Sequence, residues 1–570
     1  MGSSVNLTAN RALQATKGST EHKLTRSTKW EYAVPALAVG SLIVSCIIIS
    51  SKRYFWIDEL FTYLLVGDRS FRHMLIAFGD KFTNVPPLYF VLGWLWARAF
   101  GVTELSLRLF TALGMSGACL VTWITLRRNY GFWPTVIGTL GVFCVADLVL
   151  TQNAEARMYG LFLAVCSLGV LEYDVINRRR YCSTATFLVN ALIHAAIVQT
   201  HLFGIIFSGA ILCAFIIRDR FFNLFRPRVY LSIVVGWLSL IPYIPTFLNQ
   251  ADAGNPRAWI PMPDLENLIF TLVPSASLVA AITVILVLAL LAIRFVFRVI
   301  ASRREQREQE QARSATEVSL RILAFLFLAV PLCVWIVSRT IKPLFVPKYM
   351  IPVVLAWAII LAYLASNIIE RGKLQLPETL GRKLTSVALS ALAIIFLIHP
   401  ITYARSLLDE SFPGMHDAMY GYRDLPIVTS HSHDFVKRFH YSTERERYFF
   451  VLDWEAALDV RSGLFGPQEY KTMDALKRDY SEIFGDHIVQ LSDFLGQHQR
   501  FLVLADMNYR PRYMAQDFHR PRWLETRIQN NPAYKTSTLG MVDGRRLLLV
   551  EKVVAPKAFG VTPDPNKNEL

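Results

Sequence analysis

Long apolar runs recur from Ala33 to Pro400, and they limit what this chain can fold into more than any other feature. Each run is long enough to cross about 30 Å of hydrocarbon. Lipid offers no partner to backbone N–H and C=O groups, so each crossing must be helical. Hydrophobic residues make up 53% of the 570 and charged residues 18%, which excludes an array of soluble domains. The chain is an α-helical polytopic membrane protein.

Eleven crossings are expected, near residues 33–50, 105–126, 132–150, 160–177, 184–201, 203–217, 230–248, 268–297, 319–338, 350–367 and 384–400. The basic loops Arg127-Arg128, Arg178 to Arg180, Arg218 to Arg228, Arg298 to Arg313 and Arg371 to Lys383 then all fall on the N-terminal side. That side is expected to be cytoplasmic. The segment Pro86 to Gly101 fits this count as an interfacial helix within an outer loop of about 51–104. The polar tail 1–32 reads as cytoplasmic, and the run after it as a retained anchor. A net charge of +15 sits in short loops between apolar runs, so membrane lipids account for it and nucleic acid is not expected as a partner.

Hydropathy falls after Pro400, and short apolar strands appear at Arg447 to Leu452, Arg500 to Leu504 and Arg545 to Val550. Residues 402–570 therefore read as a small α/β domain outside the membrane, on the extracytoplasmic side because an odd number of crossings separates the termini. Its Ser430-His431-Ser432-His433-Asp434 stretch reads either as a metal site or as histidines in a loop or helix cap. All seven cysteines lie within or beside apolar runs, and their spacing implies neither a disulfide framework nor a zinc motif.

The expected outer face gathers charges that need a reason. Asp58 and Glu59 follow the first run, next to Trp56; they read as solvated interfacial acids or as a site. Glu155 and Arg157 interrupt two crossings in Asn153-Ala154-Glu155-Ala156-Arg157-Met158-Tyr159. An unpaired charge at membrane depth costs about 2.5 to 3.5 kcal/mol, so a mutual ion pair or a water-filled cavity is expected there. His201 ends another run, as a helix-packing hydrogen bonder or a catalyst. Arg339, Lys342, Lys348 and Tyr349 surround Pro343 and Pro347 in a basic outer loop, which runs against the positive-inside trend. The loop suits a phosphate or lipid headgroups. Acids, a histidine and a basic loop on one face are what transfer from a lipid phosphate requires.

The order of Trp56-Ile57-Asp58-Glu59, Pro86-Pro87-Leu88-Tyr89, Ser106-Leu107-Arg108-Leu109, Glu155-Ala156-Arg157-Met158-Tyr159-Gly160, Thr200-His201-Leu202-Phe203-Gly204 and Lys348-Tyr349 resembles the GT-C glycosyltransferases. Within that superfamily it is most similar to bacterial protein O-mannosyltransferases and lipid A aminoarabinose transferases, over roughly residues 30 to 400. The resemblance implies a GT-C bundle in the bacterial inner membrane and a polyprenyl-phosphate-linked sugar donor. It also implies a lipid, glycan or protein acceptor. Asp58 would be the catalytic base, with Glu59 beside it, and the reaction would invert the anomeric centre. Glu155, Arg157, Tyr159 and His201 would line the substrate site, and Arg339, Lys342, Lys348 and Tyr349 would hold the lipid phosphate. Lys348-Tyr349 stands where Arg-Tyr is common in relatives, which replaces a bidentate grip by a point charge. Val85 stands where many relatives have histidine, and no cofactor is expected, a divalent cation being the one candidate. The C-terminal domain is expected to help select the acceptor.

Two other functions remain open on the sequence. Intramembrane acids and a histidine also serve transporters and flippases, although no inverted repeat is visible. An inactive relative acting as an assembly scaffold would keep the same motifs. The sugar, the carrier length and the acceptor depend on pocket shape, which the residues do not reveal.

Overall fold

The computed structural model describes residues 29–179, 181–257, 259–275, 310–369, 378–408, 421–459, 466–505, 523–542 and 545–553. The chain divides into two compact units with the main boundary at Phe412–Pro413. The last long helix of the first unit runs through Pro400 to Leu408, past the expected domain boundary at 401.

The first unit is helical. Its described helices are α1 Ala33–Ser50, α2 Ile57–Gly67, α3 Phe71–Phe78, α4 Leu88–Phe100, α5 Glu104–Arg127, α6 Phe132–Phe143, α7 Asp147–Asn153, α8 Tyr159–Asn177, α9 Thr184–Thr200 and α10 Gly204–Phe221. The series continues with α11 Pro227–Leu238, α12 Ile244–Asp252, α13 Leu265–Leu272, α14 Glu310–Thr340, α15 Val354–Ile369 and α16 Glu378–Leu408. Among the described residues six helical spans are long and apolar enough to cross a membrane, or seven if the bent pair α6–α7 counts as one. The chain is thus a multi-pass membrane protein. The expected crossings at 184–201 and 350–367 form the shorter apolar helices α9 and α15. That at 268–297 lies beyond the described residues after Ser275, as do the tail to residue 28 and the basic positions Arg180, 298–309 and 371–377.

Two local features set where the loops emerge. The α6–α7 pair bends by 58°, and the Cys144 carbonyl at the bend is hydrogen-bonded by the His399 ring at 2.8 Å. A broken helix at membrane depth is tolerated when side chains occupy its freed backbone groups in this way. Helices α5 and α8 approach closely through Gly114 and Gly160: a Cβ on Gly160 would stand 2.1 Å from the Thr111 carbonyl oxygen, and one on Gly114 2.5 Å from the Gly160 carbonyl carbon. Small residues bring membrane helices into such contact. At the far end of α8 the basic loops do more than set topology. Asp174, with its side chain fully buried, holds Arg128 and Arg178, and Asp219 holds Arg226 and the Tyr230 hydroxyl.

The second unit carries a six-stranded sheet of β1 Ile427–Thr429, β2 Tyr448–Leu452, β3 Ile488–Gln490, β4 Arg500–Leu504, β5 Tyr534–Val542 and β6 Arg545–Lys552, in the order β3-β2-β1-β4-β6-β5. The first four strands are parallel; β6 pairs antiparallel with β4 and β5 with β6. Helices cross between the parallel strands, as such pairing requires. Val428, Val451, Phe494, Phe501, Val503 and Val550 form a core. The Ser430–Asp434 stretch opens helix α17 Ser432–Tyr441. There the His431 ring bonds Asp434, Asp434 pairs with Arg545, and the Ser432 amide donates to Glu469. Among the described residues no three His, Cys, Asp or Glu side chains gather into a metal-holding group; His431 stands at the N-cap of this helix and makes no side-chain cap hydrogen bond.

Candidate active site around Asp58

Asp58 and Glu59 occupy the first turn of α2, where the helix dipole favours carboxylates. Neighbours on a helix diverge by about 100°, and these two meet different surroundings. Glu59 is buried, 2% exposed. Its Oε2 accepts from the Trp56 amide at 3.2 Å, closing the turn as a cap. Both oxygens accept from Arg108 at 2.8 Å, through Nε and NH2, and Oε1 also takes the Ala156 amide at 2.8 Å. Arg108, 1% exposed, further donates to the carbonyls of Arg53 and Tyr54. Glu59 thus ties α2, α5 and the 154–158 turn together. Both Glu59 carboxylate oxygens are thus engaged by protein donors.

Asp58 keeps its side chain 32% exposed and is approached by two cations without a short hydrogen bond to either. Arg157 NH2 lies 3.9 Å and Lys348 Nζ 3.8 Å from Oδ2. Arg157 NH1 donates to the Asp58 carbonyl at 3.2 Å and reaches the Thr62 hydroxyl at 3.4 Å, while the Thr111 hydroxyl holds the Arg157 carbonyl at 2.9 Å. The close contact of α5 with Gly160 therefore fixes where Arg157 emerges.

Lys348 belongs to a 3-10 turn, Pro347–Val353, and is 2% exposed. Its ammonium bridges Asp58 and Glu155, 3.4 Å from Glu155 Oε1. It also lies 4.4 Å from the centre of the Trp56 ring and 5.4 Å from that of Tyr159. Aromatic faces stabilise a desolvated cation of this kind. Asp58, Glu59 and Glu155 are thus matched by Arg108, Arg157 and Lys348, which removes the penalty of burying any one of them alone.

His201 breaks the chain between α9 and α10 in extended conformation, φ −152° and ψ 140°. Its ring lies 5.1 Å from that of Phe162, 4.9 Å from Tyr349 and 6.3 Å from Tyr159. Tyr159 and Tyr349 in turn stack at 6.4 Å. The structure therefore brings together Asp58, Glu155, Arg157, Tyr159, His201, Lys348 and Tyr349 from four separated segments.

It does not bring Arg339 and Lys342 to them. Arg339 is exposed near the end of α14 and donates to the Pro263 carbonyl at 3.2 Å, bracing the segment before α13 together with Trp335, which bonds the Asp264 carbonyl at 2.7 Å. Lys342 is exposed just past that helix, and no ion pair joins it to Asp58 or Glu155. Helix α14 runs to Thr340 and keeps Arg339 on the α13 side. Sequence reasoning left Arg108, Trp56 and Thr111 without a role. An arginine inside the run 105–126 is itself a signal, since an intramembrane charge requires a partner.

The assembled groups offer an accessible carboxylate beside two cations, a combination able to accept a proton while an anion is held nearby. No protein-family model matches the sequence, and no curated protein matches it. Among solved structures the chain is similar to the crystal structure of ArnT from Cupriavidus metallidurans in the apo state, with TM-score 0.53 and 13% identity over 92% of this chain and 98% of that one. It is similar also to ArnT from Cupriavidus metallidurans bound to undecaprenyl phosphate, with TM-score 0.50, 13% identity and the same coverage. The chain has the fold of ArnT.

Proposed function

We propose that this protein is a membrane glycosyltransferase of the GT-C type that moves a sugar from a polyprenyl-phosphate donor to a lipid, glycan or protein acceptor. The observation that carries the reading is Asp58, a half-buried carboxylate held 3.8 and 3.9 Å from Lys348 and Arg157. The fold supports it, as does the lipid phosphate bound by a protein of that fold.

In this reading Asp58 takes the proton from the acceptor's hydroxyl or amine as that atom bonds the anomeric carbon from the face opposite the phosphate. The bond from that carbon to the phosphate oxygen breaks, and its electron pair leaves with the polyprenyl phosphate. Lys348 and Arg157 compensate the charge that collects there. Glu59 and Arg108 position Asp58, and Glu155 orients Lys348. The basic loops support an inner-membrane protein with a cytoplasmic N-terminus, and with it an extracytoplasmic position for Asp58, which lies between the first two long spans.

Purified protein incubated with a panel of polyprenyl-phosphate sugars and membrane acceptors tests the reading. Release of free polyprenyl phosphate with labelling of the acceptor supports it. Gradient-driven movement of a lipid-linked substrate with no covalent change would instead mark a transporter.

A further inference from the structure

His201 is 2% exposed, and its two ring nitrogens are used differently. Nδ1 accepts the Phe203 amide at 3.1 Å. An imidazole that accepts through Nδ1 carries its hydrogen on Nε2, so this bond assigns a neutral ring with an Nε2–H donor. That Nε2 is buried and has no hydrogen-bond partner among the described residues. Buried donors are almost always satisfied in folded proteins, and an orphan one calls for a reason.

The surroundings supply it. The ring sits against Tyr159 and Tyr349. Lys348 lies 5.4 Å from the Tyr159 ring, and Tyr349 follows it in the same 3-10 turn. The charged and titratable groups around it are Arg157 on the 154–158 turn, Tyr159 on α8, and Lys348 and Tyr349 on the turn before α15. With two cations close by, the complement of an uncharged N–H here is an anionic oxygen. Resting on the glycosyltransferase reading, we infer that His201 donates its Nε2–H to a phosphate oxygen of the polyprenyl-phosphate carrier, as a neutral donor of fixed tautomer. It is neither a base nor a cation in the reaction. Donation requires a shift of the aromatic side chains around the ring, since the atom is buried.

The experiment is direct binding of polyprenyl phosphate without sugar to purified full-length protein, at pH 5.5 to 8, for wild type and two variants. In His201→Asn the amide oxygen still accepts the Phe203 amide through a local Asx turn, but the reach of Nε2 is lost. In His201→Gln an amide N–H returns to about that reach. We expect His201→Asn to weaken binding by about 10-fold or more, the order of a hydrogen bond to a charged group. His201→Gln recovers most of the loss, and wild-type affinity shows no step through pH 6 to 7 traceable to this residue. Equal affinity of folded His201→Asn and wild type overturns the inference. So does a wild-type loss of affinity above pH 6.5 that His201→Gln abolishes, because that marks a charged imidazolium. Wild type that binds no polyprenyl phosphate refutes the glycosyltransferase reading and this inference together, whereas binding indifferent to His201 refutes the inference alone.

Discussion

Glu59 and Arg108 form a buried two-pronged ion pair, 2.8 Å on each arm, one residue away from a carboxylate that remains partly accessible. Adjacent acids in one helical turn thus divide the work. Glu59 locks the start of α2 to α5 and to the Ala156 amide, and Asp58 is left facing Lys348 and Arg157.

Breaking the lock should cost more than losing a surface ion pair. Removing one partner leaves an uncompensated buried charge, worth about 3 to 5 kcal/mol. Arg108→Ala and Glu59→Ala are each expected to lower the detergent-solubilised melting temperature sharply and to abolish transfer. The milder Glu59→Gln keeps an acceptor and should fold, with transfer reduced by about 10-fold or more because Asp58 is no longer rigidly presented. A catalytic Glu59 would instead give a stable Glu59→Ala with no activity, which thermal melts beside activity assays would reveal.

Lys348 balances two carboxylates at once. Lys348→Met should therefore reduce both stability and transfer. Adding Glu155→Gln removes one of the stranded acids, so the double variant is expected to regain stability while transfer stays low by about 100-fold, the scale of losing one electrostatic group in an active site. Recovery of transfer along with stability would show that Lys348 serves only to neutralise Glu155. Melting curves and initial rates on wild type, Lys348→Met, Glu155→Gln and the double variant decide it.

Gly160 has no room for a methyl group, since its Cβ position is 2.1 Å from the Thr111 carbonyl oxygen. Gly160→Ala should push α8 off α5, at about 1 to 3 kcal/mol or more for overpacking. It should also displace Arg157, whose carbonyl Thr111 holds at 2.9 Å. A lower melting temperature with transfer reduced beyond the loss of folded protein is the expected pair of results.

Arg339 and Lys342 are exposed and stand apart from the Asp58 cluster. Lys342→Ala should leave the donor KM within about twofold of wild type, the usual range for a surface substitution. Arg339→Ala should do the same, apart from loosening the segment around Pro263. A donor KM raised tenfold by either one would return that residue to the phosphate site.

The helical membrane architecture was legible from apolar run length, because lipid leaves the backbone no alternative to a helix. Run length does not separate a full crossing from a shorter buried helix, which is why α9 and α15 fall below the length of a complete span. Asp58, Glu155, Arg157 and Lys348 were visible as charges without an evident reason, and the structure brings them together. The division of roles between Asp58 and Glu59 was hidden, since it depends on Arg108, 49 positions away. The basic loop read as one phosphate-holding unit because spacing alone cannot say where α14 ends, and that end separates Arg339 from Lys348. In the second unit the strands at Tyr448–Leu452, Arg500–Leu504 and Arg545–Lys552 stood out by their apolar runs, whereas β1 and β3, three residues each, are too short to register.

The most direct test of the central claim is transfer by Asp58→Asn, measured beside its binding of polyprenyl phosphate. Asparagine keeps the size of the side chain and removes its capacity to take a proton. The expected result is retained binding, an unchanged melting temperature within a few degrees, and a fall in transfer rate of about 100-fold to 10,000-fold, the range for losing a general base. Asp58→Asn that binds the carrier and transfers sugar at the wild-type rate would contradict the assignment of Asp58 as the base.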